Sequence, residues 1–259
     1  APYWMPPPES SYLEAIQRPP GKLRIGFTTE SPLGLPVDPQ AIAAVDDAVK
    51  LLTALGHEVE PTAEPVDGRT LSTDFLMTWF CMMASIVTEL QARYGATLAD
   101  FEPDTRAMAA VGRTVSAMEL LNCLDRWNDH TRALSAYHQS YDLWLSPTLS
   151  APPPAIGAMD TPKVLHVLGD VVARLGVSGL LRKTPQFQAS VLKNLAWTPY
   201  TQLANLTGRP AMSVPLHWTP QGLPLGVQFV APLNGEAMLL QLAAQLEQAR
   251  PWAQRFAPL

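Results

Sequence analysis

Along residues 22–28 (KLRIGFT) apolar positions alternate with polar or small ones, and Ile25 and Phe27 favour a pleated backbone, which predicts a strand. A Gly/Pro-rich loop over 31–37 leads to Asp38 and Pro39, residue types suited to the N-cap and first position of a helix. Ile42, Val45, Val49, Leu52 and Leu55 follow at three- and four-residue spacings and predict one apolar helical stripe, with Gly56 as its stop. His57-Glu-Val-Glu60 then begins a short strand. A strand–helix–strand unit of this kind implies parallel pairing in an α/β layer.

Residues 70–94 read as one long helix that is apolar nearly all round, which predicts burial on every side. Helices are also expected over 103–111 and 116–141, the second opening with the capping-box pattern Ser116-Ala-Met-Glu119. Residues 142–146 predict a strand that runs into a Pro-rich loop, 147–157. Helical stretches follow over 161–181, broken by Gly169, Gly176 and Gly179, and over 186–205, interrupted at Pro199. Strands over 211–216 and 225–231 are joined through 219–222. Asn234-Gly235-Glu236 opens a closing helix whose inner stripe is Met238, Leu239, Leu242, Leu246 and Ala249. Near the start, 11–17 predicts a turn or two of helix, ended by Pro19-Pro20.

Composition narrows the classes. Hydrophobic residues make up 47% of the 259, which excludes a disordered chain. A net charge of −5 argues against a nucleic-acid binder. Cys81 and Cys123 are too few for a disulfide framework. No leader-like segment opens the chain, and the most apolar run, 75–87, is too short to span a bilayer, so no membrane partner and a cytoplasmic location are expected. Charged residues are only 16%, against an average near ~25%. Either the surface is buried against another subunit, a homodimer included, or the chain is part of a larger globule.

The search for reactive constellations finds no convincing set. Ser190-Val-Leu-Lys193 has the spacing in which a lysine can deprotonate a serine, but lacks the companion motifs of such sites. Gly176-Val-Ser178-Gly179 lacks the last spacing of a nucleophile elbow and reads as a flexible turn. His57, His130, His138, His166 and His217 are scattered singly and read as surface or helix-face residues. Asp142 and Asp160 read as solvated loop carboxylates, and Cys81 as packing. No phosphate-cradling glycine pattern occurs, and neither a metal nor a cofactor is expected.

The run from Trp197-Thr-Pro-Tyr-Thr201 through Asn205-Leu-Thr-Gly208-Arg-Pro210 to Pro215, followed by Gly222-Leu-Pro-Leu-Gly226-Val-Gln-Phe-Val, resembles the closing region of the amidase signature family. Leu23-Arg-Ile-Gly-Phe27, Asp142-Leu-Trp-Leu-Ser-Pro147-Thr148 and Pro152-Pro-Pro-Ala-Ile-Gly157 resemble further blocks of it, so that matches run from Tyr12 to Trp252. Phe101-Glu-Pro-Asp-Thr105, residues 109–116 and Leu206–Trp218 are similar to the branch containing 6-aminohexanoate cyclic-dimer hydrolase. The glutamine-amidotransferase branch usually has an Asp where Trp197 or Thr198 stands, which argues against a glutamine substrate.

The resemblance implies an α/β fold, a mixed sheet flanked by helices, of which residues 1–259 are the C-terminal portion of one amidase domain. It implies amide hydrolysis by a Ser–Ser–Lys triad, in which one serine attacks, the second relays a proton and a neutral lysine is the base. This chain has no Gly/Ser-rich nucleophile loop and no matching lysine, so no catalytic residue carries over. The partner it calls for is the missing N-terminal half, whose removal would bare helices such as 70–94 and a sheet edge. By position in the family, Trp197, Asn194 and Thr201, with Leu145 and Thr148, are the candidates for contact with a small, fairly apolar amide. Asn205 is expected to cap a turn, and Gly208 to hold a conformation other residues resist. A two-chain amidase and a non-catalytic binding or assembly module remain the alternatives; polar resurfacing would favour the module.

Overall fold

The computed structural model describes residues 6–162, 166, 169, 178–182, 184, 185, 187, 192, 193 and 195–256. The chain forms two compact units, one of Ala1–Gly68, His130–Pro153 and Ala196–Leu259, the other of Arg69–Asp129 and Pro154–Leu195.

The first unit holds a five-stranded sheet. Its strands are β1 (Arg24–Phe27), β2 (Glu58–Pro61), β3 (Leu143–Pro147), β4 (Ala211–Trp218) and β5 (Pro224–Val230), in the order β2-β1-β3-β5-β4. β1 pairs in parallel with β2 and β3, whereas β3–β5 and β5–β4 are antiparallel. The expected mixed sheet is therefore present. Among the described residues, each marginal strand, β2 and β4, is paired on one side only.

Two helices cover one face. α2 (Pro39–Ala54), which follows the short α1 (Tyr12–Ala15), starts where Asp38 accepts the Gln40 N–H at 2.8 Å. The apolar stripe expected on α2 is shifted. Its fully buried positions are Ala41, Ala44, Val45, Ala48 and Leu52, while Ile42, Val49 and Leu55 are only partly covered. The sheet already supplies large side chains here (Ile25, Leu143, Leu145, Val227, Phe229), so alanines let the helix axis come close. The closing helix (Glu236–Ala249) adds Leu239, Leu242 and Leu246 to the same core, while Ala249 is exposed. On the opposite face the Tyr137 ring meets Trp144 edge-on at 5.4 Å and stacks on Tyr141 at 4.8 Å.

Two histidines are not surface groups. His57 is buried, its Nδ1 accepting the Leu23 N–H at 3.1 Å while Nε2 lies 2.9 Å from Gln245 Oε1, which makes the neutral ring a donor at Nε2. His130 is also buried. His57 lies between α2 and β2 and His130 within the helix Ala117–Tyr137, and single-residue reading could not foresee the burial of either.

The second unit is helical. It contains most of α3 (Gly68–Tyr94), a 3₁₀ turn (Leu98–Asp100), α4 (Pro103–Gly112), the first part of α5 (Ala117–Tyr137) and α6 (Ser178–Arg182). Ser116 and Glu119 form the predicted capping box: the Glu119 carboxylate accepts the Ser116 N–H at 2.8 Å, and Ser116 Oγ accepts the Glu119 N–H. Ser178 and Gly179, expected in a flexible turn, lie in α6. The other calls on 161–194 fall mostly outside the described residues.

α3 departs from the expectation of all-round burial. Trp79, Met82 and Ile86, one face at three- and four-residue spacing, are each about 40% exposed. The helix spans 27 residues, close to the expected 70–94, and an 18-residue window of it has a mean hydropathy of 1.3, so that by length and composition it is long and apolar enough to cross a membrane where the 13-residue run was not. Within this unit it is tied to α5 by an ion pair, Asp74 to Arg126.

α3 and α4 meet at Gly112. A Cβ there would fall 1.9 Å from the Phe80 carbonyl oxygen, an unyielding backbone atom. Gly112→Ala should therefore destabilise the protein by about 2–3 kcal/mol. Unchanged urea melting would mean the two helices are further apart than the structure has them.

Candidate functional site

The carboxyl ends of the parallel strands are where an open α/β sheet leaves room for ligands, because connections diverge there and side chains project past the ladder. In the first unit the segments after β1, β2 and β3 converge at this end. Residues 28–37 follow β1, 62–67 follow β2, and 148–153 follow β3. Gly68 packs against Pro32, where a Cβ would lie 2.3 Å from the proline side chain, which brings the segment after β2 onto the loop after β1. The Asp38 N–H donates to the Ser150 carbonyl at 2.8 Å, which joins the loops after β1 and β3.

A further segment, 196–201, is stitched to that end. The Ser150 N–H donates to the Trp197 carbonyl at 3.0 Å, and Ser150 Oγ donates to the Ala196 carbonyl at 2.5 Å. Gln228 Nε2, on β5, donates to the Tyr200 carbonyl at 3.4 Å. Backbone groups of 196–200 are thus fixed by buried polar side chains, a costly arrangement unless satisfied, and here it is.

The sequence candidates are placed as follows. Trp197 is partly buried, and its indole Nε1–H is buried with no hydrogen-bond partner among the described residues. Thr201 is the N-cap of α7 (Gln202–Thr207), without a side-chain capping bond. Thr148 is partly buried, its hydroxyl 2.6 Å from that of Ser213 on β4. Leu145 is fully buried within the sheet core. Asn194 lies outside the described residues. Asn205 caps nothing: its Nδ2 donates back to the Thr201 carbonyl at 2.9 Å, one turn earlier in α7. Gly208 ends α7 in the left-handed conformation, φ 63°, as expected.

The remaining candidates have structural duties. Ser11 caps α1. The Asp142 carboxylate accepts the Arg24 N–H at 2.7 Å, whereas Asp160 is exposed. His217 Nδ1 is 2.7 Å from Asp47, and His138 Nδ1 is 3.1 Å from the Tyr141 carbonyl. Ser190 lies outside the described residues, and Lys193 is exposed. Among the described residues no group of three or more His, Cys, Asp and Glu could hold a metal ion.

Sequence reading missed a polar group at the same strand ends. Glu30 and Glu64 each lie three residues past a strand, β1 and β2 respectively. Glu64 is partly buried, and burial, with the charge of Glu30, pushes its carboxyl up to about 7. Tyr200 is only 4% exposed, its hydroxyl has no hydrogen-bond partner among the described residues, and burial together with the Glu64 charge raises its pKa. An acid at the same offset after each of two neighbouring parallel strands was the available signal.

The second unit has a cavity of its own, about 530 Å³, lined by Phe75, Trp79, Phe80, Met108, Met159 and Phe187 among others. Asp104, at its rim, lies 3.2 Å from His166 Nε2.

Comparison with known proteins fits this architecture. The family model described as Amidase matches residues 2–240. The 6-aminohexanoate-cyclic-dimer hydrolase of Pseudomonas sp. (strain NK87) is 31% identical over 250 residues, covering 94% of this chain and 47% of that protein. A lipoamidase of Enterococcus faecalis is 31% identical over 228 residues, covering 86% of this chain and 31% of that one. A solved 6-aminohexanoate cyclic dimer hydrolase complexed with substrate superposes with a TM-score of 0.81 at 27% identity, over 96% of this chain and 50% of that one. The chain spans about half the length, or less, of the curated relatives it matches. With the mixed sheet, its flanking helices and a family match over nearly all of its residues, the chain belongs to the amidase family.

Proposed function

We propose that this chain is the C-terminal portion of an enzyme that hydrolyses the carbon–nitrogen bond of a small, fairly apolar amide, its Ser–Ser–Lys triad lying on polypeptide outside these 259 residues. The observation that carries this reading is the family match over residues 2–240 by a chain that spans only about half of its relatives. Reaction by such a triad needs a nucleophilic serine activated through a second serine by a neutral lysine, with backbone N–H groups aimed at the oxyanion. The chain supplies no sequence of that kind.

What it would contribute is part of the pocket wall. Trp197 would offer a broad apolar ring, Thr148 and Thr201 would offer hydroxyls, and Leu145, buried in the sheet core, would support the wall from within. No fixed charge stands among those four, in keeping with an apolar acyl or amine group. The aromatic lining of the second unit's cavity is of the same character.

The test uses both the chain and the intact enzyme. By itself the chain should neither hydrolyse amides nor acquire a fluorophosphonate label on any serine; stoichiometric labelling would refute an external triad. In the intact enzyme Trp197→Ala should lower kcat/KM for a bulky apolar amide by about tenfold relative to a minimal one, with little change in Tm. A parallel fall for all amides, matched by a lower Tm, would return Trp197 to a packing role.

A further inference from the structure

We infer that two adjoining cavities of the second unit form one receptor for an uncharged molecule with an apolar body and a hydrogen-bond acceptor, the acceptor being held by the Nε–H of Arg182. This goes beyond the amide-hydrolysis reading and does not depend on it, since it assigns a ligand chemistry to Arg182 and the rings around it.

The geometry is local to this unit. The cavity of about 530 Å³ shares Leu76, Phe80 and Phe187 with a smaller one of about 180 Å³, which Met77 and Arg182 also line. The Phe80 and Phe187 rings, which line both, stand 6.2 Å apart and are tilted by 48°. In the larger cavity Phe75 stacks on Trp79 at 5.9 Å. Such a lining suits an apolar body, and a flat ring in particular.

Arg182 is unlike the rest of that lining. Its side chain is only 11% exposed, and its donors are used unequally. Nη2 donates to the Glu119 carboxylate at 2.8 Å, and Nη1 lies 3.8 Å from the Met77 sulfur. Nε–H is buried with no hydrogen-bond partner among the described residues. A buried donor left in that state is costly, and an acceptor entering the smaller cavity would offset the cost.

Charge decides which acceptor fits. The guanidinium already faces Glu119, whose carboxyl is held down to about 2 by the Ser116 N–H and by Arg182, so the pair is ionised and balanced near neutral pH. A carboxylate ligand would approach Arg182 but meet Glu119 beside it, after passing Asp104 at the rim of the larger cavity. An ammonium has no lone pair to offer and would face a cation. A ketone or amide carbonyl supplies lone pairs without charge.

The probe is benzylacetone, a ketone that no amidase can hydrolyse. Hydrocinnamate is its carboxylate analogue, and butylbenzene has a methylene in place of the carbonyl. All three are titrated into this chain and into the intact enzyme, both ¹⁵N-labelled, while the Arg182 Nε–H resonance is followed. Benzylacetone should shift that resonance saturably and bind about tenfold more tightly than butylbenzene, which should leave it in place. The receptor is overturned if benzylacetone leaves the resonance unmoved or binds no more tightly than butylbenzene. Tighter binding of hydrocinnamate than of benzylacetone would overturn it as well. So would a response of the chain that is absent from the intact enzyme, because the remaining polypeptide would then occupy the cavities. None of these readouts measures hydrolysis, so the receptor can fail while the amidase reading stands, and the reverse.

Two variants locate the ligand. Arg182→Lys keeps a positive charge opposite Glu119 but has no donor where Nε stands. It should erase the tenfold advantage of benzylacetone and leave butylbenzene binding unchanged; if this variant does not fold, the wild-type resonance still decides. Met108→Trp, which narrows the larger cavity, should weaken both ligands together. If both bind to it as before, the ligand lies elsewhere and the assignment fails.

Discussion

Phe229→Ala should lower the free energy of unfolding by about 4 kcal/mol, the largest effect of a single truncation in the sheet core. Phe229 is fully buried on β5, paired with Leu145 of β3 on one side and Met212 of β4 on the other. Its ring fills the layer between the sheet and the two helices that cover it, and Ala41, Ala44 and Ala48 on α2 are too short to collapse into the space left behind. The lost transfer energy is therefore joined by a cavity term. Urea unfolding with an unchanged m-value would register the loss as a fall in the midpoint alone. A cost below about 1 kcal/mol would show that the layer can close, and that α2 is less rigidly seated than its small-residue face implies.

The second large effect lies in the helical unit. The Asp74 side chain is 1% exposed, and Arg126 holds it with Nε 3.1 Å from both carboxylate oxygens and Nη2 2.5 Å from one. Cys123 adds its thiol to the Asp74 carbonyl at 3.3 Å. Arg126→Leu would leave a buried carboxylate without its guanidinium and should cost about 3 kcal/mol, discounted from the upper range because Arg126 is 43% exposed. Adding Asp74→Asn should recover most of that loss, since the neutral amide removes the charge that made the deletion costly. If the double variant is as unstable as the single one, packing by the arginine stem, not the ion pair, holds α3 to α5.

The strands and helices of the first unit were legible because each buries one face. β1, β3 and β5 alternate or run apolar, Asp38-Pro39 marks the start of α2, and Gly56 marks its end. The position of the α2 stripe was misjudged because large apolar residues were assumed to point inward; against a sheet already rich in Ile, Leu and Phe, the alanine face goes in. α3 was legible as a helix but not in its exposure. An all-apolar helix has no preferred side in its own sequence, and which side stays bare depends on what else is there to cover it.

The site divides in the same way. Trp197, Thr201 and Thr148 could be named from their blocks because local spacing carries the resemblance. Glu30, Glu64 and Tyr200 could not. Each is an ordinary residue in a loop or beside a proline, and only the fold leaves Glu64 partly buried and buries a Tyr200 hydroxyl that has no partner among the described residues.

The order of apolar and polar residues thus determined the elements and the parallel pairing of the first two strands, while particular blocks such as 197–215 carried the resemblance to the family. Tertiary structure decided which faces are buried, which polar groups are left without partners, and which distant loops share a strand end. The reason is one of range: periodicity and capping act within a few residues, whereas desolvation and charge repulsion are set by whatever the fold brings alongside.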